Sequence, residues 1–459
     1  MSPTFDVQNP ATGTRVQSVP NAGAAEARAA ARRAVEAFPA WRDRTAYDRS
    51  AILRRWFALM LQDEDRLARL MTDEMGKPIT ESRGEVKYAA AFVEWYAEEA
   101  KRVYGETIPS QFAHKRLFVR PQPVGPVYAV TPWNFPAAMV TRKAAPALAA
   151  GCTVVLKPAE QSPLTALRLE ELWRDAGGPP EAFQVLTTAD PAAVSAVFFD
   201  DPAIRKLTFT GSTEVGVLLA AQAARTVKRV SLELGGHAPF LVFDDADLEA
   251  AVREVTASKF RNTGQTCVCA NRIFVQAGIY DDFAGRLAAV VTDLRVGDPA
   301  DPATHVGPLV DRQGHDKVSA HVADALAKGA TALAGGQPRD GLYFSPTVLA
   351  GVTPGMRILE EETFGPVAPL IRFERDAEAV AAANGTPFGL AAYLWTRDLS
   401  RAFRVSEALD FGIVGVNDGV PSTPQAPFGG VKASGIGREG GKWGIEEFLD
   451  LKYVSIGLG

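Results

Sequence analysis

Between residues 127 and 236 the chain alternates between two periods. Short, almost wholly apolar runs, VYAVT (127–131), CTVVLK (152–157), FQVLT (183–187), KLTFTG (206–211) and RVSLELGG (229–236), are separated by helical stretches at 137–149, 163–175, 191–198 and 214–225. A strand that is apolar on both faces is buried on both faces, and a helix between successive strands is the connection a parallel sheet needs. The pattern therefore predicts right-handed crossover units and a doubly wound α/β sheet. A second series starts at PFLVF (239–243), passes through a helix at 247–258 and reaches RIFVQ (272–276). Leu234-Gly-Gly-His237 lies between the two series and reads as a hinge between two α/β domains. Upstream, Asn9-Pro-Ala-Thr-Gly13 predicts a hairpin, and amphipathic patterns predict helices near 24–36, 49–74 and 81–103.

At 459 residues the chain is too long for one simple core, which fits two or three domains. A net charge of -5 favours neither nucleic acid nor an anionic membrane as partner. No apolar stretch reaches the ~20 residues of a spanning helix, and MSPTFDVQNPATG has no basic region followed by an apolar run. Three cysteines make no disulfide framework, so a reducing cytoplasm is the expected location. None of the five histidines stands at ligand spacing from a cysteine pair, so no metal is expected.

Open parallel sheets bind ligands at the carboxyl ends of their strands. Two such ends are candidates. Phe209-Thr-Gly-Ser-Thr-Glu-Val-Gly216 runs from a strand into a helix through Gly211 and Ser212, where free N–H groups suit a pyrophosphate, although such a turn is often only a turn. Leu156-Lys-Pro-Ala-Glu160 offers a Lys for hydroxyls or phosphate and a carboxylate for ribose hydroxyls, or else a solvated ion pair.

The chemistry centres on FRNTGQTCVCANR (260–272), which holds Cys267 and Cys269. A bridge between residues two apart is strained, and the neighbourhood lacks ligands for a metal. Cys269 reads as core filler. Gly264-Gln-Thr before Cys267 reads as a turn entering a helix, whose N–H groups would lower the thiol pKa and bind an oxyanion, so Cys267 is the better nucleophile. Asn134, in the proline-bounded Pro132-Trp-Asn-Phe-Pro136, is a rigid amide donor for that oxyanion. Glu233, at a strand end before two glycines, is placed to activate water.

Together PWNFP (132–136), LKPAE (156–160), FTGSTEVG (209–216), LELGG (232–236), NTGQTC (262–267), EETFGPV (361–367), VGVND (414–418) and PFGGVKASGIGRE (427–439) occur in the order and spacing of the aldehyde dehydrogenase superfamily. The resemblance spans essentially the whole chain. It implies a Rossmann-like cofactor domain (1–104 and 125–235), a catalytic domain (236–432), and a β oligomerisation arm with the C-terminal segment (105–124 and 433–459). Cys267 resembles the nucleophile that forms a thiohemiacetal and then a thioester, Asn134 and the Cys267 N–H its oxyanion hole, and Glu233 the base that directs water. Lys157 and Glu160 match ribose contacts and Ser212 the pyrophosphate contact. Glu362 and Phe364 match the nicotinamide side, and Trp133 the junction of cofactor and substrate; Thr131, Pro132, Gly211 and Leu234 complete the cofactor set. A thiol acyl transferase without redox chemistry would need neither LKPAE nor FTGSTEVG.

Within that superfamily the chain is most similar to the succinate-semialdehyde dehydrogenase branch. Arg142, Arg261 and Ser422 match positions that bind the distal carboxylate there, whereas Arg142 beside Lys143 also reads as a solvated residue. The extra prolines of Pro421-Ser-Thr-Pro-Gln425 depart from the branch, and leave glutarate semialdehyde or another ω-oxo acid as the alternative substrate. Glu160 implies NAD over NADP, with NADP possible, because its carboxylate would repel a 2′-phosphate. The branch also includes members with a reversible bridge between the positions of Cys267 and Cys269. Assembly as a homodimer or homotetramer is expected through Gly105 to Pro123 and Glu447 to Gly459.

Overall fold

A computed structural model describes residues 3–458 of the chain. Met1, Ser2 and Gly459, at the ends of the segments assigned above, lie outside the described residues. The alternating stretch forms one sheet, in the order Gly435–Ile436, Arg229–Glu233, Lys206–Thr210, Val127–Val130, Val154–Lys157, Phe183–Val185. All of its pairings are parallel except that of Gly435–Ile436, which runs antiparallel to Arg229–Glu233. The second series builds a larger sheet, in the order Thr331–Ala334, Thr347–Ala350, Val367–Phe373, Ala270–Gln276, Ala238–Val242, Ala391–Trp395, Ile413–Val416. Only its first pairing is antiparallel.

Four long helices, Ala24–Arg42, Ala46–Gln62, Glu64–Met75 and Ile79–Glu99, precede the first sheet. The expected helix at 49–74 is two helices, broken at Asp63. An aspartate is a poor helix-interior residue, and here its carboxylate is drawn away by Arg168, whose Nε and Nη2 donate to it at 2.7 and 3.1 Å. The run CTVVLK yields a strand only from Val154, because Gly151 at φ +100° ends the helix Ala138–Ala150 in the left-handed conformation.

Every residue of Ala138–Ala150 is buried, Arg142 and Lys143 included. One face of it meets an aromatic and aliphatic core in which Trp41 and Trp56 pack edge-on to Trp173, with ring centroids 5.6 and 5.5 Å away. A third sheet, Leu449–Gly457 against Lys115–Pro123 against Glu106–Ile108, projects from the body, and Leu451, Tyr453, Ile456 and Ile108 on it are exposed. The C-terminal segment thus serves two sheets, one at each end of the helix Gly441–Glu446. Among the described residues no helix is long and apolar enough to cross a membrane.

Candidate active site

The carboxyl ends of Val127–Val130, Lys206–Thr210 and Arg229–Glu233 lead into Thr131–Asn134, Gly211-Ser212 and Leu234-Gly235, and these loops converge on Cys267. Two cavities meet there. One, of about 290 Å³, is lined by Pro132, Trp133, Asn134, Gly211, Ser212, Leu234, Glu362 and Phe364. The other, of about 310 Å³, is lined by Arg142, Arg261, Ser422 and the helix Ile79–Glu99. Cys267 and Met139 border both.

The expectation of a helix after Cys267 is not met. Arg261–Gly264 forms a short 3-10 turn, and the chain passes through Cys267 directly into the strand Ala270–Gln276. The pairing of Ala270 beside Ala238 fixes this course, a tertiary constraint that overrides the local pattern. The expected lowering of the thiol pKa fails with it. Burial pushes the Cys267 thiol up to about 12, with Arg142 and Arg261 opposing and Glu362 and Glu233 reinforcing. Two glycines allow the close packing: a Cβ on Gly236 would collide with the Cys267 carbonyl, and one on Gly264 (φ +74°) with that of Gly365. All three cysteines are free thiols; Cys269 is buried and donates to the Lys259 carbonyl at 3.4 Å, as a core residue does.

Asn134 is buried, and its Nδ2 donates to the Gln265 carbonyl at 3.0 Å. An amide carries two N–H groups, so one remains for a substrate oxygen. The Glu233 carboxylate is buried, and its Oε2 has no hydrogen-bond partner among the described residues. Burial raises its pKa well above the usual range; Glu439 adds to this, and Arg142, Lys143 and Arg438 oppose it. Glu439 itself is held low: burial pushes it up, but Lys143 at 2.5 Å and Arg142 at 2.7 Å outweigh that. Glu439 carried no role in the sequence reading, although it closes the motif PFGGVKASGIGRE.

The lining of the first cavity suits the nicotinamide end of a dinucleotide. Ser212 caps the helix Thr213–Ala224, accepting from Val215 N at 3.3 Å, so its first turn opens onto the cavity. The buried Thr210 hydroxyl on the cavity wall has no partner among the described residues. Trp133 and Phe364 meet edge to face at 5.6 Å, and Glu362 accepts from Gly236 N at 3.2 Å. Burial pushes the Glu362 carboxyl up to about 7. Thr131, Lys157 and Glu160 do not line this cavity. They sit at the carboxyl ends of two paired strands, with Lys157 Nζ 2.7 Å from Glu160 Oε1. Gln265 and Lys317 line the cavity without having been foreseen; Lys317 comes from Arg312–Ala327, far off in sequence and marked by no motif.

Arg142 does not face solvent. It is 2% exposed, paired with Glu439, and its guanidinium lies 3.9 Å from the Phe428 ring centre. Arg261 sits 5.5 Å from the Phe135 ring centre, and its buried Nε has no partner among the described residues. Both face the cavity that Cys267 closes.

A thiol held at about 12 is almost wholly protonated at neutral pH. In the enzyme alone, alkylation of Cys267 by iodoacetamide should therefore rise about tenfold per pH unit from pH 7 to 9. A rate constant across that range would mean that the thiolate is already formed.

The sequence model of the aldehyde dehydrogenase family matches residues 1–454. A succinate-semialdehyde dehydrogenase [NADP(+)] of Escherichia coli is 57% identical over 456 residues, 99% of this chain and 94% of that protein. A glutarate-semialdehyde dehydrogenase of Pseudomonas putida is 55% identical over 455 residues, 99% of this chain and 95% of its own length. The crystal structure of an E. coli NADP dependent enzyme superposes with a TM-score of 0.98 at 56% identity, covering 99% of this chain and 95% of the other. Fold, converging loops and relatives agree, and the chain belongs to the aldehyde dehydrogenase family.

Proposed function

We propose that this aldehyde dehydrogenase oxidises succinate semialdehyde to succinate through Cys267. The observation that carries the substrate is the second cavity, in which Cys267 shares one space with Arg142, Arg261 and Ser422. Guanidinium groups bind a carboxylate bidentately, and burial strengthens such a bond. The relatives named for succinate and glutarate semialdehyde act on aldehydes that end in a carboxylate.

Cys267 gives its S–H proton to Glu233, whose charge already acts on the thiol and which releases that proton to solvent. The thiolate sulfur attacks the carbonyl carbon, and the electron pair of the C=O bond moves to oxygen. Asn134 Nδ2 and the Cys267 N–H receive that charge, the interaction that contributes most where water is excluded. When bound, the nicotinamide supplies the acceptor for the hydride that leaves the thiohemiacetal carbon as C=O re-forms. What remains on Cys267 is a thioester. Glu233 takes a proton from water as its oxygen attacks the thioester carbon; the C–S bond breaks, the acid leaves and the thiol is restored. A raised Glu233 pKa suits a base that must hold this proton.

A longer tail is the second reading. Gly84 sits inside the helix Ile79–Glu99 on the cavity wall, and a Cβ there would touch nothing. The far end thus has room for the extra methylene of glutarate semialdehyde. The family uses NAD or NADP; we infer NAD for this chain, because a carboxylate at Glu160, beside Lys157 at the end of the strand Val154–Lys157, would repel a 2′-phosphate brought to the ribose hydroxyls. The apolar arm is read as the pairing surface of a homodimer or homotetramer, and a free nucleophilic thiol suits a reducing cytoplasm. We likewise assign 1–104 and 125–235 to cofactor binding, 236–432 to catalysis, and 105–124 with 433–459 to the arm and C-terminal segment.

The test is a panel pairing succinate semialdehyde with neutral aldehydes of equal length, on wild type and Arg261→Ala. Wild type should favour the anionic aldehyde in kcat/KM, and Arg261→Ala should lose about a hundredfold on it but little on the neutral ones. Equal use of both by wild type would refute carboxylate binding. For the cofactor, Glu160→Ser should raise the NADP to NAD ratio of kcat/KM at least about tenfold; an unchanged ratio would remove Glu160 from the choice.

A further inference from the structure

Lys77 and Glu85 have no part in the chemistry above, yet they are among the most deeply buried charges in the protein. Their side chains, 1% and 2% exposed, form an ion pair. Buried ions are costly unless each finds further partners. Both find them on the same loop. Lys77 Nζ donates to the Asn134 carbonyl at 2.8 Å and lies 3.9 Å from the centre of the Phe135 ring. Glu85 Oε1 accepts the N–H groups of Ala137 and Ala138 at 2.9 and 3.2 Å, where it also complements the dipole of the helix Ala138–Ala150. The pair grips the loop on both sides of Phe135-Pro136.

The loop that leads to Cys267 is tied to the same point. Asn262 Nδ2 donates to the Asn134 carbonyl at 2.9 Å, and Glu81 accepts the Asn262 backbone N–H at 2.7 Å. Asn262 and Thr263 sit at φ 51° and 59°, left-handed values that a β-branched threonine rarely adopts. Such a conformation persists only where its surroundings over-determine it. Lys77, Glu81 and Glu85 come from one short stretch, the turn before Ile79–Glu99 and its first two turns. That stretch fastens the Asn134 loop to the Cys267 loop.

We propose that the Lys77–Glu85 ion pair positions the oxyanion site, holding the Asn134 backbone so that its amide keeps its distance from Cys267. The proposal rests on the reading of Asn134 as the oxyanion donor. Packing alone does not require charges here, since a buried ion pair can often be replaced by apolar side chains without loss of stability. What the ions add is direction: the Lys77 ammonium donates to the Asn134 carbonyl and the Glu85 carboxylate accepts two loop N–H groups, so the chain is fixed at residues 134, 137 and 138. A displacement of about 1 Å in such a group can cost on the order of a hundredfold in rate.

The test is a double-mutant cycle between the pair variant Lys77→Met/Glu85→Gln and Asn134→Ala, with succinate semialdehyde at saturating NAD. The pair variant removes both ions of the pair together and leaves Arg261 as the cation acting on Glu81, and the amide introduced by Glu85→Gln keeps an acceptor for Ala137 and Ala138. Its kcat should fall about 30- to 100-fold. Cofactor affinity and the rate of Cys267 alkylation, which need no oxyanion donor, should stay within about twofold. Added to Asn134→Ala, it should cost nothing further, because it acts through that residue. Losses that multiply, or a pair variant within about threefold of wild type, would overturn the proposal while leaving Asn134 as donor. An Asn134→Ala enzyme of full activity would instead overturn the reading of Asn134 itself, and this inference with it. Asn262→Gly, unstrained at this φ, removes the other donor to the Asn134 carbonyl without touching a buried charge, and should show the same selective loss in kcat. Full activity there, with a pair variant that does not fold, also overturns the proposal.

Discussion

The carboxylate of Glu439, wedged between Arg142 and Lys143, is the interaction on which the site depends. It pairs with two cations on a helix that is buried along its whole length and offsets one of their two charges, which makes their burial less costly. It also anchors the strand and helix at 435–446 that close the first sheet beside Glu233. Its negative charge then acts on Glu233, helping burial to hold that carboxyl well above the usual range. One ion cluster thus supports a substrate-side arginine, the proposed base and the docking of the C-terminal segment.

Desolvation accounts for the rest of the electrostatics. The two cavities meet at Cys267, and desolvation raises its thiol to about 12 and Glu362 to about 7. Charges placed in such a space act more strongly than in water. Arg142 and Arg261 both lower the thiol pKa while bordering the cavity assigned to the anionic tail. Substrate choice and nucleophile activation therefore draw on the same guanidinium groups.

The parallel strands of the first sheet and two of the second, Ala238–Val242 and Ala270–Gln276, were legible in the sequence because they are short, largely apolar runs set between helical stretches. VYAVT and KLTFTG emerged as neighbouring parallel strands, and the motifs at their ends converge in one place. The strand at RIFVQ was legible, but its approach through Cys267 was not, since Gly-Gln-Thr describes a turn equally well before a helix or a strand, and pairing with Ala238–Val242 decides. Arg142 beside Lys143 reads as a solvated pair, because Glu439, nearly three hundred residues on, is what makes its burial tolerable. Lys77, Glu81 and Glu85 carried no role in the sequence reading, because their partners Asn134, Ala137, Ala138 and Asn262 lie far along the chain. Charges that are satisfied across long sequence separations leave no local mark.

The central claim is that oxidation proceeds through an acyl group on Cys267 that Glu233 then releases. It is tested most directly by intact-mass and peptide mass spectrometry of Glu233→Gln after mixing with succinate semialdehyde and NAD. The account predicts one equivalent of reduced nicotinamide and a succinyl group on Cys267 that persists because water is not activated. A burst of reduced nicotinamide with Cys267 unmodified, or an acyl group on any other residue, would contradict it.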